Sequence, residues 1–247
     1  MGIAPKTFVI HLARATGRRA RVEELLRQSP YPAKILDACD GAKLSPADRT
    51  AVYPGTDLHV PRYPFPLSDG EIGCFLSHRR AWERIVSEGL PHALILEDDV
   101  AVDPETFANA VGIAQAWIEK LGYIQFQVRK LTVPSLTVAE DERARLVLPE
   151  VTPLRTSAQM VSRAAAETLL AATEQFDRPI DTFLQMRWDT GVKLHCVVPS
   201  GVFDRTAETG GSTISRKHSF SAKLVREWKR AWYRKKISAL SQGSYRL

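Results

Sequence analysis

The run Ala93-Leu94-Ile95-Leu96-Glu97-Asp98-Asp99-Val100 constrains this chain more than any other stretch. Four apolar residues behind His92 read as a short strand buried on both faces, and three consecutive acids stop it. Such a strand belongs to a sheet covered by helices, an α/β fold, in which the carboxyl ends of the strands border the ligand crevice. Three carboxylates gathered there repel one another unless a cation neutralises them. Oxygen-only ligands favour Mg²⁺ or Mn²⁺, ions that often join protein carboxylates to substrate phosphates. The plainer alternative is a set of solvated loop acids.

The flanking sequence supplies the rest of such a fold. Residues 7–12 (TFVIHL) predict a first strand, 18–28 a helix with Val22, Leu25 and Leu26 on one face, and 33–36 a second strand ending in the polar turn 37–41. This β-α-β opening is usual for nucleotide-binding domains. Ser45-Pro46 signals a short helix, and four prolines across 53–66 predict an irregular surface loop. Ser68 and Glu71 stand at capping-box spacing, opening a helix that runs to about Glu88 before Gly89. Asp103-Pro104-Glu105 caps another, reaching about Leu121. Strands are expected at 123–128 and 192–198, strands and turns across 131–161, a helix at 163–175, and a glycine turn at Gly210-Gly211. The simplest division is one domain, 1–215, and a tail, 216–247.

Charge is distributed unevenly. Residues 216–247 hold ten Lys or Arg against the single acid Glu227, so the net +6 belongs to the tail and the body is slightly acidic. That argues against a nucleic-acid-binding body. Leu224, Trp228, Ala231 and Trp232 recur at helical spacing between basic residues, a basic amphipathic helix suited to an anionic membrane surface. The alternative is a helix that packs both tryptophans against the domain and leaves its basic face solvated. No run approaches the roughly 18 apolar residues of a membrane span, and residues 1–12 lack a signal-peptide pattern, so a cytoplasmic protein is expected. Cys39, Cys74 and Cys196 form no CxxC pattern and suit reduced thiols.

Four blocks together resemble glycosyltransferase family 25, which includes lipopolysaccharide galactosyltransferases and collagen galactosyltransferases. They are Phe8-Val9-Ile10-His11-Leu12 with Arg14, Arg18 and Arg19; Asp37-Ala38-Cys39-Asp40-Gly41; residues 67–78 (LSDGEIGCFLSH) with Trp82; and residues 93–100. Weaker echoes lie at 157–163, Pro179-Ile180-Asp181 and Ser212-Thr213-Ile214. His11 stands where the family commonly has Asn, and Gln125-Phe126-Gln127 lacks the family's usual acidic, leucine-rich character.

The resemblance implies a GT-A-type, Rossmann-like domain and an inverting hexosyl transfer, most often of galactose from UDP-galactose. The acceptor it implies is a glycolipid or oligosaccharide such as lipooligosaccharide, met on the inner face of the cytoplasmic membrane. Glu97 and Asp99 are then the metal pair, holding Mn²⁺ or Mg²⁺ against the diphosphate. The donor site is drawn from His11, Leu12, Arg14, Arg18, Ala38, Asp40, Gly41, His78 and Asp98. Arginines after the first strand suit phosphate oxygens, or else a solvated helix start. Asp181 is the first candidate for the base that deprotonates the acceptor, with a plain N-cap as its alternative, and Glu71 is the second. Glu71, His78 and Trp82 share one helical face that suits a sugar border or a buried brace. His195 and His218 are candidates to complete the metal shell, although a lone histidine is more often structural.

Overall fold

Burial alternates along β1 (Lys6–His11): Phe8 and Ile10 enter one core and Val9 the other. Successive side chains of a strand point to opposite faces, so this sheet is covered on both sides. The computed structural model describes residues 3–205 and 220–245. Its remaining strands are β2 (Ala33–Asp37), β3 (His92–Glu97), β4 (Val100–Val102), β5 (Tyr123–Phe126), β6 (Ser135–Glu140), β7 (Arg145–Pro149), β8 (Ala158–Ser162), β9 (Leu194–Val198) and β10 (Val202–Asp204). Eight of them form one sheet in the order β2-β1-β3-β8-β5-β9-β7-β6, and β4 pairs with β10. β2, β1 and β3 are parallel, whereas β8 enters antiparallel between β3 and β5.

The helices are α1 (Arg19–Gln28), α2 (Pro46–Val52), α3 (Asp69–Ser87), α4 (Pro104–Leu121), α5 (Arg163–Ala172), α6 (Ile180–Phe183), α7 (Arg187–Thr190) and α8 (Phe220–Tyr245). α1 and α4 cover one face of the sheet through Val22, Leu25, Phe107 and Val111, which pack with Val9, Leu94 and Met160. α3, α5 and α6 cover the other through Phe75, Trp82, Leu169 and Phe183, with Phe8, Ile95 and Tyr123. Their starts follow the sequence signals. The Ser68 hydroxyl accepts the Glu71 N–H and the Glu71 carboxylate accepts the Ser68 N–H, closing the capping box. Asp103 accepts from the Thr106 N–H at the start of α4.

Gly41 and Gly73 let the turn after β2 press on α3. A Cβ on Gly73 would lie 2.6 Å from the Cys39 carbonyl oxygen and 2.8 Å from the Gly41 nitrogen. Ser77 locks the contact by accepting the Cys39 N–H at 2.8 Å and donating to the Gly73 carbonyl at 2.6 Å.

α8 docks on the domain through Tyr233, Ile237 and Ser241. Arg187 donates to the Ser241 carbonyl at 2.7 Å and the Ser244 hydroxyl at 3.0 Å. The expected alternative, tryptophans packed inward, is therefore corrected: Trp228 is 69% and Trp232 45% exposed. Among the described residues, no helix is long and apolar enough to cross a membrane. The turn at Gly210-Gly211, the echo at Ser212-Thr213-Ile214 and His218 lie outside the described residues.

Candidate active site

Strand alternation decides where the three acids point. Ala93 and Ile95 face α3, so Glu97, two residues further along β3, faces α3 as well. There it meets His78, whose Nε2 lies 2.9 Å from Glu97 Oε1. His78 is itself oriented from behind: Gln159 Nε2 lies 2.7 Å from His78 Nδ1, and the Tyr123 hydroxyl donates to Gln159 Oε1. Thr156 adds a second hydrogen bond to Glu97 Oε1, at 2.9 Å. Burial opposes charge on Glu97, but the His78 and Thr156 hydrogen bonds and the Arg155 charge outweigh it and hold its pKa below the usual glutamate value.

Asp98 turns the other way. His11 Nδ1 donates to Asp98 Oδ2 at 2.7 Å, and Arg18 donates to Oδ1 at 2.6 Å. Asp98 and His11 are buried, so this acid is a paired brace. The same guanidinium lies 3.8 Å from Asp99 Oδ2. His11 thus supports the acidic turn from beneath. Of the other arginines, Arg14 pairs with Asp40 at 2.8 Å, and Arg19 turns away to pair with Glu23 on the exposed face of α1. The Arg14 hydrogen bond comes first among the causes that lower the Asp40 pKa.

A cleft of about 370 Å³ opens at the carboxyl ends of β1 and β2, β1 being the neighbour of β3 in the sheet. Leu12, Arg14, Ala38 and Asp40 line it, together with Cys39, Lys43, Leu44 and Arg80. Gly41 lies in the close packing behind this wall.

Asp181, at the start of α6, accepts the Arg155 N–H at 3.3 Å and the Thr182 hydroxyl at 3.2 Å. Burial raises its pKa, and the nearby Glu97 charge adds to the rise. A carboxyl in that state is suited to taking a proton at a moderate pH. Glu71 Oε2 is engaged by the Ser68 N–H and hydroxyl, at 2.8 and 2.7 Å, which ties it to the cap of α3.

Two expectations are corrected. Trp82 is fully buried in the core one turn beyond His78, so it borders no sugar site. His195 is the second residue of β9, away from the strand end, and burial lowers its pKa to about 4; it does not join the acids.

The donor set is of the kind a hard divalent cation takes: both hydrogen bonds to Glu97 fall on Oε1, leaving Oε2, and Asp99, two residues on, is the second carboxylate that the expected metal pair would use. Cys74, His78 and Glu97 also bring potential ligand atoms within 4.8 Å of one another. In that trio both imidazole nitrogens are engaged, Nδ1 by Gln159 and Nε2 by Glu97, so His78 serves as an orienting partner of the carboxylate.

A profile of Glycosyltransferase family 25 (LPS biosynthesis protein) matches residues 4–184. The chain belongs to glycosyltransferase family 25. Its large mixed sheet has a parallel βαβ start, and β8 and β7 run antiparallel to its other strands. Among family-25 relatives, the "Probable inactive glycosyltransferase 25 family member 3" of Rattus norvegicus is 33% identical over 193 residues, 74% of this chain and 33% of that protein. The "Inactive glycosyltransferase 25 family member 3" of Homo sapiens is 34% identical over 194 residues, 74% of this chain and 32% of that protein. "Procollagen galactosyltransferase 2" of Homo sapiens is 37% identical over 97 residues, 38% of this chain and 15% of that protein. The chain spans about a third of the length of the first two relatives.

Sequence reasoning missed Arg155, Thr156, Gln159 and Tyr123. Gln159 and Tyr123 reach the site on β8 and β5, whose pairing no local pattern announces, and Thr156 reaches it from just before β8. Arg155 has φ +84°, a left-handed conformation uncommon for a side chain of its size. Its carbonyl accepts from Gln125 at 3.2 Å and its guanidinium pairs with Asp204.

Proposed function

We propose that this chain is a metal-dependent, inverting hexosyltransferase that moves galactose from UDP-galactose to a hydroxyl of a lipopolysaccharide or lipooligosaccharide acceptor. One observation supports the reading: the three acids at the end of β3 are divided, Asp98 into a buried pair with His11 and Arg18, and Glu97 onto His78 and Thr156 through one carboxylate oxygen, while a cleft opens at the carboxyl end of the neighbouring β1. Glu97 and Asp99 would hold Mn²⁺ or Mg²⁺, which supplies charge stabilisation to the departing diphosphate.

The acceptor oxygen attacks the anomeric carbon and the carbon–oxygen bond to the β-phosphate breaks. Its electron pair leaves on UDP, and the hydroxyl proton passes to Asp181. Arg14 on the cleft wall and Arg18 between Asp98 and Asp99 would meet the phosphates, and the Leu12–Ala38–Asp40 wall would take the nucleoside. The acceptor is met at an anionic surface, the inner face of the cytoplasmic membrane, on the side of α8.

A second reading is a non-catalytic relative, favoured by the word "inactive" in the names of two relatives. The test is UDP release from UDP-galactose, UDP-glucose and UDP-N-acetylglucosamine with oligosaccharide acceptors, with product configuration read by NMR. The proposal expects acceptor-dependent, EDTA-sensitive release, fastest with UDP-galactose, and inversion at the anomeric carbon. Another preferred UDP-sugar would reassign the donor. UDP binding without turnover on any acceptor would favour the non-catalytic reading.

A further inference from the structure

The two faces of α8 have different surroundings. On the inner face, Tyr233 sits edge-on to Tyr63 at 5.4 Å, and its hydroxyl accepts from the buried Arg178 at 3.0 Å. Arg178 also donates to the His59 carbonyl at 3.0 Å and pairs with Asp177, whose Oδ2 accepts the Leu58 and His59 N–H groups at 2.9 and 3.1 Å. The Arg226 and Arg230 guanidinium groups lie 4.8 and 5.7 Å from the Phe65 ring centroid. All these contacts converge on residues 58–65, within the segment joining α2 to α3. That segment packs on α6, the helix that carries Asp181: the His59 ring stands edge-on to Phe183 at 5.5 Å.

The outer face is different. Val225, Trp228 and Trp232 are exposed on it, flanked by the exposed Lys229, Lys235 and Lys236, and Lys236 Nζ stands 5.5 Å from the Trp232 ring centroid. Tryptophan has an apolar body and a polar edge that suit the headgroup boundary, while lysine stems reach toward anionic headgroups. Charge complementarity selects the occupant, since residues 216–247 carry ten basic side chains against one acid. Helix, tryptophans and lysines form one docked surface matched to an anionic bilayer.

We propose that α8 is a two-sided strap: its Trp228–Trp232 face lies on an anionic lipid surface while its Tyr233 face holds residues 58–65 against the acceptor side of the site, so that lipid binding orders that segment. The lipid contact stands on α8 alone; only the link to acceptor choice rests on the transferase reading.

The experiment uses the full chain with phosphatidylglycerol or phosphatidylcholine vesicles at low salt, reading co-sedimentation and amide exchange of residues 58–65. Wild type is expected to pellet with phosphatidylglycerol only, and exchange at 58–65 to slow on binding. W228S/W232S should retain its melting temperature and bind at least tenfold more weakly, and each charge reversal at Lys229, Lys235 or Lys236 should weaken binding about fivefold or more. Four outcomes would overturn the proposal: no pelleting of wild type, pelleting indifferent to W228S/W232S, pelleting with unchanged exchange at 58–65, or a lipid-free dimer dissolved by W228S/W232S, which would make a second copy the occupant. UDP binding measured on the same samples reports separately on the transferase reading.

Discussion

Adjacent acids with opposite duties predict opposite phenotypes for Asp98→Ala and Asp99→Ala. Removing the Asp98 carboxylate strands His11, with 4% of its side chain exposed, and Arg18, with 15%. Breaking a buried ion pair from one side costs about 3–5 kcal/mol, and Arg18 can recover part of this by turning to Asp99, 3.8 Å away, so the lower end applies. For a chain of this size, 3 kcal/mol corresponds to roughly 6–12 °C in melting temperature. Asp99 is the more exposed acid, 18% against 8%, and stands farther from Arg18, 3.8 Å against 2.6 Å, so its loss should cost less than that of Asp98. It should nevertheless abolish Mn²⁺-supported UDP binding, which folded Asp98→Ala protein keeps. Differential scanning fluorimetry and Mn²⁺ titration followed by electron paramagnetic resonance read both. Equal melting temperatures in the two variants, or nucleotide binding lost only in Asp98→Ala, would refute the division of roles.

Three further perturbations follow from the same geometry. Because the pKa of Asp181 is raised, the folded protein binds that proton more tightly than the unfolded chain, so the buried carboxylate lowers stability at neutral pH and this loss fades as pH falls through the raised pKa. Asp181→Asn should thus melt higher than wild type at neutral pH, with the gap closing in acid, and lose transfer; the wild-type acid limb of kcat/KM should lie above the ordinary aspartate value of 3.8. Arg155→Gly relieves a left-handed backbone but also breaks the Asp204 pair and loosens the unfolded chain, so its melting temperature should move little while kcat falls with the lost charge near Glu97; unchanged turnover would count against a role for the guanidinium. Gly73→Ala forces a methyl onto the backbone atoms of Cys39 and Gly41 and should cost about 3 kcal/mol in urea unfolding, an outcome that a neutral variant would contradict.

Local chemistry made the helix starts and the acidic strand end readable in advance. Ser68 with Glu71 and Asp103 with Pro104 are signals confined to a few residues, and the structure uses both. The Trp82 expectation failed for a different reason. Helical arithmetic placed Glu71, His78 and Trp82 on one face, but it does not tell what lies opposite each turn. His78 meets the polar end of β3, and Trp82, one turn on, is inside the core. The orienting chain Tyr123–Gln159–His78–Glu97 was hidden for the same reason, since it forms only once β8 inserts antiparallel between β3 and β5. The tail was half readable: its amphipathic spacing was plain, whereas only the packing of Tyr233 and Ile237 against the domain shows that the tryptophans face outward.

The most direct test of the central claim is calorimetric titration of the full chain with UDP, first with Mn²⁺ and then with EDTA, beside Asp99→Ala. The account predicts binding that requires the metal and disappears in the variant. Binding of equal strength with EDTA, or undiminished binding by Asp99→Ala, would contradict a metal-bridged diphosphate at the end of β3.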